Sequence, residues 1–351
     1  MFFKTILVLL IKAPKQISVA NPRDFKKITS TYKFPKSGAY DDLAVSQQNI
    51  FSTNSEDFNR MRRRQIGPAF TQTGLDQVED IVLQYEESIC IRKQEFEQND
   101  IHGIPDILQM YLNSINTTNN KKLSREELVS ETLVMLIGGT GSTSLTMTHL
   151  LHLYTLYPDI YKRVTDEVRS KFPDRSKIIK YQEAKENLPF LTSTIYESLR
   201  LMPVVAGLLS RENNFENLEL SGIKIPKGTV INLYIEGANK NPDFWESPDS
   251  FNPDRFMGSK GETLRKEVAT FSHGVRICPG RNLAWFEMLT VMSNLLRDYD
   301  FQLIEGSNYS PSNLDPGRNY EPKLYDTEST LVLSPSYPER DCNIQFFRSN
   351  F

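Results

Sequence analysis

The chain has 351 residues, 39% of them hydrophobic and 11% aromatic, which is a globular composition and long enough for a large core. Its 41 basic and 44 acidic residues leave a net charge of -3, so no global field recruits nucleic acid. Cys90, Cys278 and Cys342 lie far apart with no CxxC pair, which argues against a disulfide framework or zinc site and fits a reducing compartment.

The N-terminal MFFKTILVLLIK is an apolar segment of about ten residues broken by Lys4, whereas a spanning helix needs about 20. It is too short for an anchor and suits a buried strand about as well as a signal-peptide core without a cleavage site. FNRMRRRQIGPAF, 58 to 70, is a basic cluster whose plain reading is a solvated face. An amphipathic helix is expected from Gln77 to Glu97, then a polar loop, NSINTTNNKK, at 113 to 122. Ser124 with Glu127 three residues on is a capping-box pattern, so a long helix should follow. From Thr132 to Tyr157 that helix carries no charge, yet GGTGSTS at its middle makes a poor bilayer span.

Residues 187 to 202 predict another helix, closed by Pro203. Its apolar stripe is Leu191, Ile195, Leu199 and Met202. Glu197 and Arg200 lie on the opposite side, where a surface i,i+3 pair is the usual outcome. LELSGIKIPKGTVINLYI, 218 to 235, alternates apolar and polar residues around Ser-Gly and Pro-Lys-Gly turns, a hairpin signature. Residues 239 to 258 form a meander anchored by Phe244, Trp245, Phe251 and Phe256. A strongly apolar helix is expected over 279 to 298, and DFQLIEG and STLVLSP look like short strands. No repeat is visible, and the sum is a mainly α protein with small β-sheets.

One stretch carries chemistry: FSHGVRICPG, 271 to 280. Pro279 suits a first helical position, which puts Cys278 near an N-cap, where the helix dipole and free N–H groups favour thiolate. Arg276 and Arg281 add positive charge. The sulfur is then a nucleophile, a redox centre or a metal ligand, against the alternative of a structural cysteine. No histidine among His102, His149, His152 and His273 forms a base motif with it, which disfavours a hydrolase. Gly274 and Gly280 suit backbone that lies against a large flat group or turns at positive φ.

FSHGVRICPG resembles the haem-binding loop of cytochrome P450, FxxGxRxCxG, at Phe271, Gly274, Arg276, Cys278 and Gly280. Three further stretches match in the family's order. Glu197-Ser198-Leu199-Arg200 with Arg255 of FNPDRF resembles the family's Glu-x-x-Arg and meander lock. MLIGGTGSTS resembles the helix across the distal haem face, with Gly141 in place of the acid and Ser142 in place of the threonine. FNRMRRRQIGPAF resembles the helix that sends an arginine to a haem propionate, with Asn59 where tryptophan or histidine is usual.

The resemblance implies a single P450 domain over 1 to 351 of eukaryotic, fungal microsomal type, shortened at the N-terminus and between 71 and 130, where the substrate-roof helices largely fall. It implies haem b held by Cys278 and propionates met by Arg276, Arg211 and Arg63, with Arg62 the runner-up to Arg63. It places a dioxygen site at Thr140, Ser142 and Thr143, and substrate contacts at Val204, Val205, Ala206, Gly207 and Leu208. The implied function is monooxygenation of a lipophilic small molecule with O2 and electrons from an NADPH-cytochrome P450 reductase, on the cytosolic face of the endoplasmic reticulum or, lacking an anchor, in the cytoplasm. Because the carboxylate is missing at 141, an isomerase or dehydratase that needs no O2 activation is the alternative, and a truncated non-catalytic product the third reading.

Overall fold

The structure is a computed structural model that describes residues 9–13, 15–44, 47–76, 107–116, 119–205, 209–329 and 332–351. The helix expected over 77 to 97, Cys90 and the stretch 206 to 208 lie outside the described residues. Two compact units emerge. One comprises residues up to Pro35, Thr140–Cys278 and Trp285–Phe351, and the other Lys36–Gly139 and Pro279–Ala284.

The first unit contains a four-stranded sheet. Strand Leu9–Ala13 pairs antiparallel with Gln16–Val19, realising the strand expected in the apolar N-terminal run. Gln16–Val19 pairs parallel with Val230–Leu233, which pairs antiparallel with Leu209–Glu212. Ile17, Val19, Ile231 and Leu233 from this sheet pack with Phe25 and Ile28 of helix Pro22–Thr29, one continuous apolar core. Alternation alone explains half of the 218 to 235 segment. Leu218–Leu220 and Ile223–Ile225 form the hairpin, turning at Ser221 and Gly222 with φ of 49° and 78°, the left-handed pair a two-residue hairpin turn requires. After Gly228, also at positive φ, Val230–Leu233 leaves the hairpin for the larger sheet.

The capping box forms as the sequence predicts. Ser124 Oγ accepts from the Glu127 N–H at 3.2 Å while the Glu127 carboxylate accepts from the Ser124 N–H at 2.9 Å. The helix it opens runs Arg125–Leu156, and no described helix is long and apolar enough to cross a membrane. In the second unit, Ile50, Ile66, Ala69, Phe70 and Tyr111 make a separate core, against which Leu128, Val134 and Met135 of that helix pack. The polar loop contains a minimal antiparallel pair, Ile115–Asn116 with Lys121–Lys122.

Helix Pro189–Leu201 ends as expected, Met202 capping it through its N–H to the Ser198 carbonyl just before Pro203. The helix after the cysteine begins later than the sequence suggests, at Arg281. Gly280 supplies the carbonyl that accepts from the Ala284 N–H at 2.9 Å. Pro279 therefore stands in the turn before the helix instead of in its first position, and Cys278 precedes the cap by two residues. A proline there still suits the chain, because its missing N–H falls on a turn residue.

Candidate functional site

The cysteine loop is a run of tight turns. Ser272 N–H donates to Ala269 O, Arg276 N–H to His273 O and Ile277 N–H to Gly274 O, and the Cys278 N–H closes the loop on Phe271 O at 2.8 Å. These bonds hold the backbone while the Cys278 side chain stays exposed. Gly274 is required twice over. Its φ is +56°, and a Cβ there would stand 2.6 Å from Ser30 Cα at the end of helix Pro22–Thr29. The neighbouring His273 ring meets Phe25 edge-on, centroids 5.9 Å apart.

The start of the loop is clamped from behind by Asn239, which sequence reading passes over. Its Oδ1 accepts from Ala269 N–H at 2.8 Å, and its Nδ2 donates to Thr270 Oγ1 at 3.1 Å and to Leu199 O at 3.3 Å. Thr270 Oγ1 also donates to Leu199 O at 2.6 Å. A fully buried asparagine thus ties the loop to helix Pro189–Leu201. No periodicity marks such a residue, because its value lies in matching two separate backbone groups and a hydroxyl.

Glu197 and Arg200 are fully buried, against the surface position that the helical wheel predicts. They pair bidentately, Arg200 Nε and Nη2 each donating to a Glu197 oxygen at 2.8 Å. Arg255 Nε donates to Glu197 Oε1 at 3.0 Å, and the Asn252 N–H joins the same oxygen at 2.9 Å. Arg200 spends its remaining donors on the carbonyls of Asn239, Pro248 and Ser250. The polar side of the helix is polar because a meander of peptide carbonyls, rather than water, covers it.

Two more of the expected cations belong to this unit and are buried. Arg211 sits on strand Leu209–Glu212 and donates from Nη1 to Ser210 O at 2.8 Å. Arg276 lies with its guanidinium 5.1 Å from the Tyr32 ring centroid. On the small-residue stretch of the long helix, Gly141 has open space where a side chain would project, whereas Thr143 is buried. Thr143 hydrogen-bonds the Glu287 carboxyl on helix Arg281–Asp298, and burial raises the pKa of that carboxyl. Val204 is buried, its carbonyl accepting from Leu333 N–H at 2.6 Å, and Val205 packs against the sheet core.

In the second unit Arg62 and Arg63 sit in different surroundings. Arg62 is fully buried, with Nη2 2.5 Å from Glu127, Nε 3.1 Å from Glu131 and Nη1 2.9 Å from Gln65 Oε1. Desolvation pushes Glu131 up to about 7 even beside this arginine. Arg63, half-buried, donates from Nε to Asn59 Oδ1 at 3.2 Å. Arg62 is committed to carboxylates of its own chain.

An exposed thiol on a hydrogen-bonded loop, with buried guanidinium groups in the same unit, fits a metal macrocycle carrying carboxylates. The fold agrees. Cyanobacterial CYP120A1, solved with retinoic acid bound, superposes with a TM-score of 0.75 over 95% of this chain and 89% of its own, at 18% identity. A model of the cytochrome P450 family matches residues 44–327. The cytochrome P450 monooxygenases helB1 and helB2 of Aspergillus fumigatus are 34% and 35% identical over 75% and 69% of this chain. Cytochrome P450 3A9 of Rattus norvegicus is 29% identical over 56% of it. The chain belongs to the cytochrome P450 family, whose cofactor is haem b bound through a cysteine thiolate. It spans about half the length of the curated relatives it matches, 44% of helB1 and 47% of helB2.

Proposed function

We propose that this chain is a haem-thiolate monooxygenase acting on a lipophilic small molecule, with Cys278 as the iron ligand. The observation that carries the reading is the exposed Cys278 side chain on a loop whose backbone is fixed by its own hydrogen bonds and by Asn239. When bound, haem supplies an iron at which dioxygen is reduced. The protein's part is to hold the thiolate, neutralise the propionates through Arg276, Arg211 and Arg63, and deliver protons. Thr140, Ser142 and Thr143 are the hydroxyls for that delivery, and Thr143 hydrogen-bonds the Glu287 carboxyl, whose pKa burial raises. The segment from Val204 to Leu208 contributes to the substrate pocket. Electrons come from an NADPH-cytochrome P450 reductase, and the site of action is the cytosolic face of the endoplasmic reticulum.

The ferrous carbonyl complex is expected to show the red-shifted Soret band of thiolate ligation. Cys278→Ser should abolish that band, while Cys90→Ser and Cys342→Ser should keep it. A band that survives Cys278→Ser would sink the assignment.

Gly141 favours a second reading, a P450-type isomerase or dehydratase that needs no O2 activation. A Cβ at position 141 would meet open space. Under the monooxygenase reading, Gly141→Asp with Ser142→Thr should raise the ratio of product formed to NADPH consumed and lower peroxide release. Turnover of a hydroperoxide without NADPH, left unchanged or lowered by the double substitution, would favour the second reading instead.

A further inference from the structure

Helix Pro22–Thr29 gathers its cations on one stripe. Arg23, Lys26 and Lys27, with Ser30 just past the helix end, stand at i, i+3, i+4 and i+7, while Phe25 and Ile28 turn the other way into the sheet core. The stripe lines an open cleft of about 570 Å³, a volume within the range of small-molecule sites. Phe244 and Leu264, both half-buried, add apolar surface to the same cleft. Phe244 meets buried Trp245 edge-on, ring centroids 5.1 Å apart, and Trp245 is itself tied by its Nε1–H to Ala238 O at 3.0 Å.

The charges in the cleft do not cancel. Glu267, the carboxylate among the lining residues, accepts from Lys26 Nζ at 2.7 Å. Lys27 Nζ donates to the Glu219 carbonyl at 2.9 Å, a neutral acceptor that leaves the lysine charge uncompensated. The exposed Arg23 guanidinium has no partner among the described residues. Asp24, on the same helix, does not line the cleft and accepts from Ser221 Oγ. Three cations against one carboxylate leave the lining with two positive charges in excess.

We propose that this cleft binds a small phosphate monoester with an apolar body. At neutral pH such a phosphate carries about 1.5–2 negative charges and three terminal oxygens, which match the excess charge and the donor fork of Arg23. A carboxylate brings only one charge, and inorganic phosphate leaves Phe244 and Leu264 facing water. Ser30 is the residue whose Cα would stand 2.6 Å from a Cβ at Gly274, so the cleft ends beside the cysteine loop without using the Cys278 side chain. Binding there needs no iron and stands apart from the haem reading.

The test is calorimetric titration of the holoprotein with 1-naphthyl phosphate, in wild type, Arg23→Gln and Phe244→Ala. Arg23→Gln is expected to weaken binding about tenfold, the effect of one charge-assisted hydrogen bond, and Phe244→Ala about fivefold through the lost ring contact. Inorganic phosphate should bind about tenfold more weakly than the ester, and 1-naphthol should not displace the ester. No measurable binding, or an affinity that either substitution leaves unchanged, overturns the proposal. Inorganic phosphate that binds as tightly as the ester overturns it by reducing the cleft to a basic patch. Displacement by 1-naphthol overturns it by placing the probe in an apolar pocket elsewhere.

Discussion

Glu197→Ala is expected to unfold the protein or leave it as haem-free aggregate. The substitution leaves Arg200 and Arg255 facing the same buried spot with no anion between them, and the Asn252 N–H without its acceptor. Breaking a buried pair on one side typically costs about 3–5 kcal/mol. A domain's whole stability is about 5–15 kcal/mol, so little remains. Arg255→Ala should be milder, since Arg200 still neutralises Glu197 through two bonds. Urea denaturation of the three proteins checks the order. A Glu197→Ala midpoint equal to that of wild type would mean that the pair is solvated after all.

Acid should destabilise the first unit through two histidines that play no part in the proposed chemistry. His149 and His152 are buried on the long helix, and burial, the largest cause, lowers them from about 6.5 to about 4 and about 3. His149 Nδ1 bonds Met202 O at 2.9 Å, and the His152 ring lies 4.2 Å from that of Tyr325. The charged groups acting on His152 are His149, Arg318 and, in the opposite sense, Asp341. Below pH 6.5 the unfolded chain takes up protons that the folded chain refuses. The stabilisation is therefore complete above that pH and lost as pH falls toward 4. Each histidine contributes about 1.4 kcal/mol per pH unit in this window, so the pair gives about 2.7. His152→Phe keeps the ring stack and should roughly halve the histidine contribution to the slope of stability against pH from 6 to 4.5. An unchanged slope, read from urea midpoints at constant m-value, would show that His152 is already charged in the folded state.

Three local signals in the sequence were legible because their cause was local, whereas the start of the helix after Cys278 was placed two residues early. The Ser124–Glu127 box, the Ser221-Gly222 turn and the stop at Pro203 depend on residues within one turn of each other, and all three formed. The cysteine loop was legible through its resemblance to the family's haem loop, in which Gly274 answers to backbone geometry that few residues can meet. Glu197 and Arg200 were misplaced by the helical wheel because what covers them is peptide backbone 39 to 55 positions downstream, to which a hydrophobicity pattern is blind. The same blindness hid Asn239, whose partners are the Ala269 N–H, the Thr270 hydroxyl and the Leu199 carbonyl, all in distant segments. Arg63 was ranked ahead of Arg62 by the resemblance alone, and the carboxylates that hold Arg62 were not legible, since only folding brings Glu127 and Glu131 to it.

The parallel pairing of Gln16–Val19 with Val230–Leu233 has a consequence for biosynthesis. At ~5–20 residues per second, the ribosome delivers the second strand on the order of ten to forty seconds after the first. In that interval the N-terminal strand has only its hairpin partner Leu9–Ala13, and a lone two-stranded hairpin is marginal in water. Ile17 and Val19, buried in the finished sheet, are exposed to other nascent chains throughout. Slowing translation should therefore lower the soluble yield unless a holding chaperone is supplied, since the sheet closes only after Leu233 has been made.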